Sequence, residues 1–442
     1  MNISNSLCYA VRVAAVATVL AGCSNSGSPS SFAPSEMSQP NVTQARPGAQ
    51  TQAALTQYSL FKLRGLGGKY SAARGVNNRG WITGASTLRG SKSAHAALWR
   101  AGRLTDLGTL GGPDSAFLGS VKNTRGELAG FSQVQQTDPY LENFCNEPSI
   151  FDQTRLCQGF RWKNGGMTAL PMLGGNNSVA TGVNNGGEIV GAAETSTEGY
   201  SCDSPQRFDY YGVIWQPNGT TLTLAPYSGD SISFAEAVDD NGDVVGYSGS
   251  CGPLDDALTA QHALLWQSGS TIDLGNLGGT ANNVPFAINN RGQIVGYAYT
   301  VGNATSHAFL WQNGVMSDLG TLPGDVFSQA NGINDKGQIV GASCPASGSC
   351  RGFIWQNGAM TDLNLLVPPQ SLDVFFANDI NDSGEIAALA SSATKPERAV
   401  VLIPGKKSNV IPGSAARPVA LPESLRIQLR KLQGIARPFA GL

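Results

Sequence analysis

The stretch HAFLWQNGVMSDLGTLPGDVFSQANGINDKGQIVG, from His307 to Gly341, is the clearest copy of a repeat in this 442-residue chain. Its most regular part is the pattern Asn/Asp-x-x-Gly-x-apolar-x-Gly, and only the last copy departs from it, ending in Ala388. The copies begin at Asn77, Asn123, Asn184, Asp239, Asn289, Asn334 and Asn381. They start 46, 61, 55, 50, 45 and 47 residues apart. A period in this range is typical of a solenoid, a propeller or another array.

Each repeat contains four short strand signals. The first is an apolar run that ends in a tryptophan such as Trp311, and the pair Asn313-Gly314 after it favours a hairpin, because both residues tolerate positive φ. The second alternates polar and apolar residues, as in residues 316–319. After a Gly-rich break, the third ends in Ile-Asn or Val-Asn, and the fourth follows the Asn turn. This period-2 pattern predicts strands and no helix between residues 58 and 404.

Four antiparallel strands in each repeat match one blade of a β-propeller, so seven copies predict an all-β, seven-bladed β-propeller. Both ends of the array indicate a closed ring. Residues 58–63 occupy the second-strand position of an incomplete first copy, and residues 399–403 form an apolar first-strand segment after the last copy. Pairing of these N- and C-terminal strands in one blade leaves no open sheet edge. A linear β-solenoid, which needs capping repeats instead, is the alternative.

The N-terminal residues predict export. The apolar stretch from Val13 to Leu20 is too short for an ordinary membrane helix, and it leads into Leu20-Ala21-Gly22-Cys23. This sequence resembles a bacterial lipobox. The resemblance implies that residues 1–22 are a lipoprotein signal peptide and that the lipidated Cys23 anchors the chain to a membrane. Ser24 fits the outer membrane, facing the periplasm or the cell surface. A plain secretory signal with a nearby cysteine is the alternative.

The rest of the chain divides by composition. Residues 23–57 are rich in Ser, Pro, Gln and Thr and predict a flexible tether, residues 58–404 form the repeat array, and residues 405–442 form a basic tail. The formal net charge of the chain is −2, and the tail carries seven basic residues against one acidic residue. The body that carries the repeats is therefore acidic. An acidic body argues against a nucleic-acid partner. The tail is predicted as solvated chain, and contact with an acidic surface is the alternative.

The cysteines predict disulfides. With Cys8 in the signal peptide and Cys23 at the anchor, six remain: Cys145, Cys157, Cys202, Cys251, Cys344 and Cys350. An even number in an oxidising compartment indicates disulfide bonds. Of the 15 connectivities that six cysteines allow, we favour Cys145–Cys157 and Cys344–Cys350 within loops and Cys202–Cys251 between neighbouring repeats. All six are predicted in the loops that precede the Trp strands, where the repeats differ most in length.

The histidines and the recurrent acids favour structure over catalysis. The three histidines, His95, His262 and His307, occupy the same repeat position. A catalytic triad needs one histidine in one cleft, which equivalent residues on different blades do not supply. For the aspartates that recur at one strand position, we expect structural hydrogen bonds; they are Asp106, Asp273, Asp318 and Asp362.

Two segments carry oxygen-rich sequences. Residues 239–243 alternate oxygen-bearing side chains as calcium loops do, but the distal glutamate of such a loop is missing. The long loop 131–158 carries acidic and aromatic residues that suit a ligand or a glycan, or a solvated surface: Asp138, Tyr140, Glu142, Phe144, Glu147 and Asp152. We assign no catalytic, cofactor-binding or metal-ligating residue from the sequence, and no cofactor.

The repeat resembles the HAF family of extracellular repeat proteins, named for its His-Ala-Phe motif. That motif is intact at residues 307–309, with near matches at 95–97 and 262–264. The sequence Asp-Leu-Gly-Thr-Leu follows at residues 106–110 and 318–322. The resemblance covers the repeat array and implies an exported bacterial protein with no known reaction.

These features together predict a non-enzymatic, lipid-anchored binding or scaffold module of the cell envelope. Because the insertions fall at one repeat position, the long loops at 131–158 and 192–212 are expected on one face of the propeller, where they would bind an envelope protein or a glycan. One alternative is a polysaccharide lyase or hydrolase with a site near the propeller axis. Another is a structural envelope protein.

Overall fold

The computed structural model describes residues 55–90, 93–142, 144, 154–199, 202, 206–251, 260–346, 350–369, 372–392 and 395–408. The predicted signal peptide, Cys23, the tether up to residue 54, Cys145 and the tail beyond Ser408 lie outside them. Within the described residues, no helix is long and apolar enough to cross a membrane.

The strands form seven four-stranded antiparallel sheets, the blades of a seven-bladed β-propeller, which confirms the predicted fold class. The chain first forms β1 (Leu55–Lys62). Blade 1 contains β2 (Gly67–Val76), β3 (Ile82–Leu88), β4 (Ala94–Arg100) and β5 (Arg103–Asp106). Blade 2 contains β6 (Ser115–Ala116), β7 (Glu127–Thr137), β8 (Arg155–Lys163) and β9 (Gly166–Ala169). Blade 3 contains β10 (Gly174–Val183), β11 (Ile189–Glu198), β12 (Phe208–Trp215) and β13 (Thr221–Leu224).

The remaining blades repeat this order. Blade 4 contains β14 (Ile232–Val238), β15 (Val244–Gly249), β16 (His262–Gln267) and β17 (Ser270–Asp273). Blade 5 contains β18 (Gly278–Ile288), β19 (Ile294–Thr300), β20 (Ser306–Gln312) and β21 (Val315–Asp318). Blade 6 contains β22 (Phe327–Ile333), β23 (Ile339–Cys344), β24 (Arg351–Gln356) and β25 (Ala359–Asp362). Blade 7 contains β26 (Asp373–Ile380), β27 (Ile386–Ser392), β28 (Lys395–Ser408) and β1.

The ring closes through the two ends of the array. Strand β1 pairs antiparallel with β28, so that Ser59 lies opposite Ile403 and Leu60 lies opposite Leu402. The predicted pairing of N- and C-terminal strands is therefore confirmed. Both strands extend beyond residues 58 and 404, and their outermost pair is Leu55 and Ser408.

Burial follows strand position within a blade. Strand β14, the first of blade 4, is buried along its whole length, whereas β17, the fourth, is mostly exposed. A strand covered by neighbouring blades on both faces needs small and apolar residues throughout, whereas a polar outer strand blunts the sheet edge. The phase of the repeat differs from the prediction, because the predicted third strand is the first strand of each blade and the Trp strand is the third. In blade 2 this first strand, β6, spans only Ser115–Ala116.

In six of the seven blades, the recurrent asparagine links its blade to the next one at the axis. The side-chain oxygen of Asn334 accepts the backbone N–H groups of Lys336 and Gln338 at 3.1 and 3.0 Å, which stabilises its own turn. Its amide donates to the carbonyl oxygen of Asn381 in the next blade at 2.9 Å. The amide of Asn381 donates in turn to Asn77 at 2.9 Å, across the closure of the ring. Asn77, Asn334 and Asn381 are almost fully buried, so water cannot satisfy their polar groups and these hydrogen bonds do so instead.

The recurrent glycine of the second strand accommodates a β-bulge in the first. In blade 4 the register of β14 and β15 shifts between Ala235 and Ala237, which leaves Glu236 as the extra residue. The bulge brings the carbonyl oxygen of Phe234 so close to Gly246 that an added Cβ would lie well under 3.0 Å from it. In five other blades, the glycine at this position is equally close to a carbonyl oxygen: Gly84, Gly130, Gly191, Gly296 and Gly341.

Candidate functional site

The long loops lie at the opposite end of the strands from the Asn turns. Within a blade, the Asn turn joins the first strand to the second, and the long loop joins the second strand to the third. Because successive strands are antiparallel, these two connections lie at opposite ends of the blade. The connections of blades 2, 3 and 4 are the long ones, and we call the surface that they form the long-loop face.

Side-chain contacts and a disulfide bond join these three loops. The carboxylate of Glu142, from blade 2, accepts the backbone N–H groups of Arg207 and Phe208, from blade 3, at 3.0 and 3.1 Å. A disulfide bond between Cys202 and Cys251 then joins the loop of blade 3 to that of blade 4. Three neighbouring insertions are therefore held as one surface.

An aromatic and charged patch lies on the long-loop face. Tyr140 and Leu141 are 40% and 53% exposed. The guanidinium group of Arg207 lies 4.3 Å from the ring centroid of Tyr140, a cation–π contact, and the Phe208 ring lies 5.5 Å from the same ring. Arg207 also donates to Glu198 at 2.6 Å. This arrangement holds two large side chains in place at the surface.

Two carboxyl groups are buried beneath the patch. One oxygen of Glu194 accepts the backbone N–H groups of Asn176 and Asn177 at 3.1 and 2.9 Å, and the other accepts the amide of Gln206 at 3.0 Å. Burial, with a smaller contribution from the nearby Glu142, raises the pKa of Glu194 to about 8. Burial also raises the pKa of Glu142 to about 7, against the lowering effect of its hydrogen bonds from the backbone.

The predicted cysteine pairs are present where both partners are described. Cys202 bonds to Cys251, and Cys344 bonds to Cys350. Cys157 is also disulfide-bonded, and Cys145, its expected partner, lies outside the described residues. The prediction that all six cysteines lie in loops is wrong for two of them, because Cys157 lies in β8 and Cys344 ends β23. The strands here run further than the alternating pattern indicates.

A group of three possible metal ligands includes two of these cysteines. Cys202, Cys251 and Asp209 bring ligand atoms within 4.8 Å of one another. The two sulfur atoms form a disulfide bond, so neither is a thiolate, the form in which cysteine binds metals. The group is therefore structural.

The histidines form structural pairs, as the sequence predicts. The Nδ1 atom of His95 lies 2.9 Å from Asp106, and that of His307 lies 2.8 Å from Asp318. Each aspartate also accepts a backbone N–H from the glycine two residues later, which orders the turn after the fourth strand. His262 differs, because it pairs with Asp230 at 2.8 Å. The hydrogen bonds from His307 and Gly320 outweigh burial and hold the pKa of Asp318 below its usual value.

A cavity opens on the axis at the face that carries the Asn turns. It encloses about 450 Å³, part of it open to solvent, and is lined by the turn residues of several blades. Three of its aspartates make inter-blade bonds: Asp240 accepts the backbone N–H of Asn185 at 2.8 Å, Asp335 accepts that of Asn290 at 2.9 Å, and Asp382 accepts that of Asp335 at 2.8 Å. Asp239 instead stabilises its own turn. Next to them, Lys122 contacts the buried Asp379 at 2.6 Å. These acids therefore hold blades together at the place where the enzyme alternative expects its site.

Glu236, the bulge residue of blade 4, is a further buried acid. Burial raises its pKa to about 8, and the pKa values of the buried Tyr247 and Tyr297 are raised well above their usual value for the same reason, with smaller contributions from Glu236. At the equivalent position of neighbouring blade 3, the hydroxyl of Thr181 donates to the carbonyl oxygen of Ala235 at 2.9 Å. A protonated Glu236 likewise has a proton to donate, which an ionised one lacks.

We expect Glu236→Gln to flatten the dependence of stability on pH. Folded Glu236 stays protonated up to a pKa of about 8, whereas the unfolded chain ionises it near 4.5. Its contribution to stability is therefore fully present below about pH 4.5 and lost as the pH rises through 8. Urea unfolding should show that the stability of the variant relative to the wild type rises by about 3 kcal/mol between pH 5 and pH 8. The same dependence of the free energy of unfolding on pH in variant and wild type would contradict this prediction. Glu198→Gln, a change at an exposed acid, is the control.

Several residues of the site carry no repeat signal. Gln206 and Arg207 lie in an insertion that has no counterpart in other repeats. Glu194 is the exception, because a charged residue that continues the apolar run 189–193 of β11 breaks the pattern of a buried strand. Such a break points to a buried polar contact, although it does not say with which residue.

Comparison with known proteins assigns no family to this chain. No family model and no curated protein matches the chain. Among solved structures, an acylaminoacyl peptidase from Pyrococcus horikoshii matches 77% of this chain with 10% identity and a TM-score of 0.46, and this chain covers 53% of it, about half of its length. An oligogalacturonate lyase from Vibrio parahaemolyticus matches 79% of this chain and 91% of its own, with 11% identity and a TM-score of 0.44. A gluconolactonase from Xanthomonas campestris matches 79% and 90%, with 10% identity and a TM-score of 0.34. Similarity at this level transfers no activity to this chain.

Proposed function

We propose that this protein is an exported, lipid-anchored binding module of the bacterial cell envelope, and that its long-loop face recognises a partner protein. The observation that carries the proposal is the joining of three neighbouring insertions by Glu142 and by the Cys202–Cys251 disulfide bond. Side chains that are already held in place lose less conformational entropy when a partner binds. Disulfide bonds also agree with the export that the lipobox resemblance implies.

The chemistry of the patch suits a protein partner. Tyrosine and arginine are the residue types that contribute most to protein interfaces, and here Arg207 is held against the exposed Tyr140. Leu141 adds apolar surface that a partner can cover, and Glu198 fixes the guanidinium from the other side. We therefore expect the partner to place an apolar group on Tyr140 and Leu141 and an acidic group near Arg207.

In-cell crosslinking of the tagged, full-length chain, followed by mass spectrometry, tests this proposal. We expect a reproducible partner with the wild type, and a loss of at least about tenfold in its yield with the double variant Tyr140→Ala/Arg207→Ala. Val315→Ala is the matched control, because Val315 is exposed and follows the hairpin turn at the opposite face. A partner that survives the double variant, or a glycan captured in place of a protein, would contradict the proposal.

A further inference from the structure

Two oxygen atoms beneath the long-loop face lack hydrogen-bond partners. They are Oε2 of Glu142 and Oε1 of Gln206, and neither has a partner among the residues that the structure describes. Glu142 is 1% exposed and Gln206 is 3% exposed, so bulk water does not reach them. A buried oxygen without a partner costs free energy, which indicates that a bound group belongs there.

The two oxygens belong to one cluster around the backbone of Phe208. The other oxygen of Glu142 accepts the N–H of Phe208 at 3.1 Å, and the amide of Gln206 donates to its carbonyl oxygen at 2.9 Å. The same amide donates to Glu194 at 3.0 Å. Glu142, Gln206 and Glu194 therefore meet between the loops of blades 2 and 3.

The charge of the surrounding side chains indicates which kind of group binds there. Two acidic side chains share this buried place, and Glu142 lies close enough to Glu194 to raise its pKa. Their backbone N–H donors favour the ionised form, whereas burial and the negative charge of a neighbouring acid oppose it. The positive charge of Arg207 has only the smallest effect on the pKa of Glu142. The nearby Arg207 donates to the exposed Glu198 and stacks on Tyr140. A cation bound between the acidic side chains would balance their charge and give the two free oxygens a partner.

We propose that Glu142, Glu194 and Gln206 form a binding site for a divalent cation, of which Ca²⁺ fits best. All the available donors are oxygens, which hard cations prefer, and carboxylate and amide oxygens are typical calcium ligands. With three protein side chains, water completes the coordination, and the affinity belongs to the weak class of extracellular calcium modules. The ion fastens the loop of blade 2 to that of blade 3. The site is separate from residues 239–243, whose oxygens hold the turn of blade 4.

Calorimetric titration of the metal-free, full-length protein with CaCl₂ alone tests this site. We expect one saturable site per chain in the wild type, and at least about a tenfold loss of affinity in Glu142→Gln and in Glu194→Gln, since each removes a charged ligand and keeps the shape of the side chain. Glu236→Gln, a change at another buried acid, and Glu198→Gln, an exposed change nearby, are expected to bind as the wild type does.

Thermal unfolding gives a second measurement that does not depend on the variants. Ca²⁺ should raise the melting temperature of the wild type, and EDTA should reverse the shift. Absence of binding by the wild type up to about 10 mM Ca²⁺, beyond the weakest extracellular class, would show that the two acids hold a proton instead and would overturn the proposal. Equal binding by Glu142→Gln and Glu194→Gln would overturn it as well. Neither result depends on whether the long-loop face has a protein partner.

Discussion

Gly246→Ala is expected to destabilise the folded protein by about 3 kcal/mol or more. The new methyl group would lie well under 3.0 Å from the carbonyl oxygen of Phe234, a backbone atom that the β-bulge at Glu236 holds in place. This steric clash can be relieved only if the first and second strands of blade 4 move apart. Both strands are buried along their whole length, so their separation disturbs the packing against the neighbouring blades.

Blade 7 supplies the control for this prediction, because Ala388 occupies the equivalent position. Its register with β26 carries a second irregularity between Val374 and Phe376, directly before the pair Ala377–Ala388. In blades 1, 3 and 5 the second irregularity lies further from the glycine. This extra residue gives the strand a different path, and the alanine is accommodated. Ala388→Gly should therefore cost only about 1 kcal/mol, the usual cost of glycine in a strand. Urea unfolding measures both variants, and a Gly246→Ala variant within about 1 kcal/mol of the wild type would contradict the steric argument.

Lys122→Met is expected to destabilise the protein by about 3 kcal/mol at neutral pH. Lys122, in blade 2, reaches past blade 1 to Asp379 in blade 7, whose side chain is fully buried. Asp379 also accepts the backbone N–H of Val76 in blade 1 at 2.9 Å, so three blades meet at one carboxylate. Removal of the ammonium group leaves a buried charge without its counter-ion. Burial already raises the pKa of Asp379 despite Lys122, and the loss of Lys122 raises it further.

A double-mutant cycle isolates this ion pair. Lys122→Met/Asp379→Asn should recover at least about half of the stability lost in Lys122→Met, because the remaining partner is then neutral. The deficit of the single variant should also shrink at acidic pH, where Asp379 takes up a proton in the folded state. Arg207→Met serves as the control, since Arg207 and Glu198 are 46% and 61% exposed and an exposed pair contributes little to stability. If the losses of stability in Lys122→Met and Asp379→Asn simply add in the double variant, the two side chains do not stabilise each other and the prediction is wrong.

Most of the fold follows from the repeat. The Asn turn recurs because each blade has a tight turn between its first two strands. The glycine of the second strand recurs in six blades because the bulged first strand brings a carbonyl oxygen close to it. The expected half-repeats at the two ends pair as β1 and β28. The Cys202–Cys251 bond was also predictable, because adjacent repeats place their long loops side by side. Strand lengths near Cys157 and Cys344 were not, since local alternation does not show how far a neighbouring loop prolongs a strand.

The residues of the candidate site have no repeat to reveal them. Glu142 and Arg207 are 65 residues apart and lie in insertions of different blades, and Lys122 and Asp379 are separated by 257 residues. No local pattern relates such pairs, because their contact depends on how the blades are arranged around the axis.

The sequence by itself determined the number of blades, the succession of strands along the chain and the closure of the ring. These features rest on hydrogen bonds and steric contacts between residues that recur at fixed positions in every repeat. Only the tertiary structure decided which buried acids meet, which loops are joined and which aromatic side chains stay exposed. Those properties depend on burial and charge that are shared between distant segments, and a side chain acquires them only when the blades pack together.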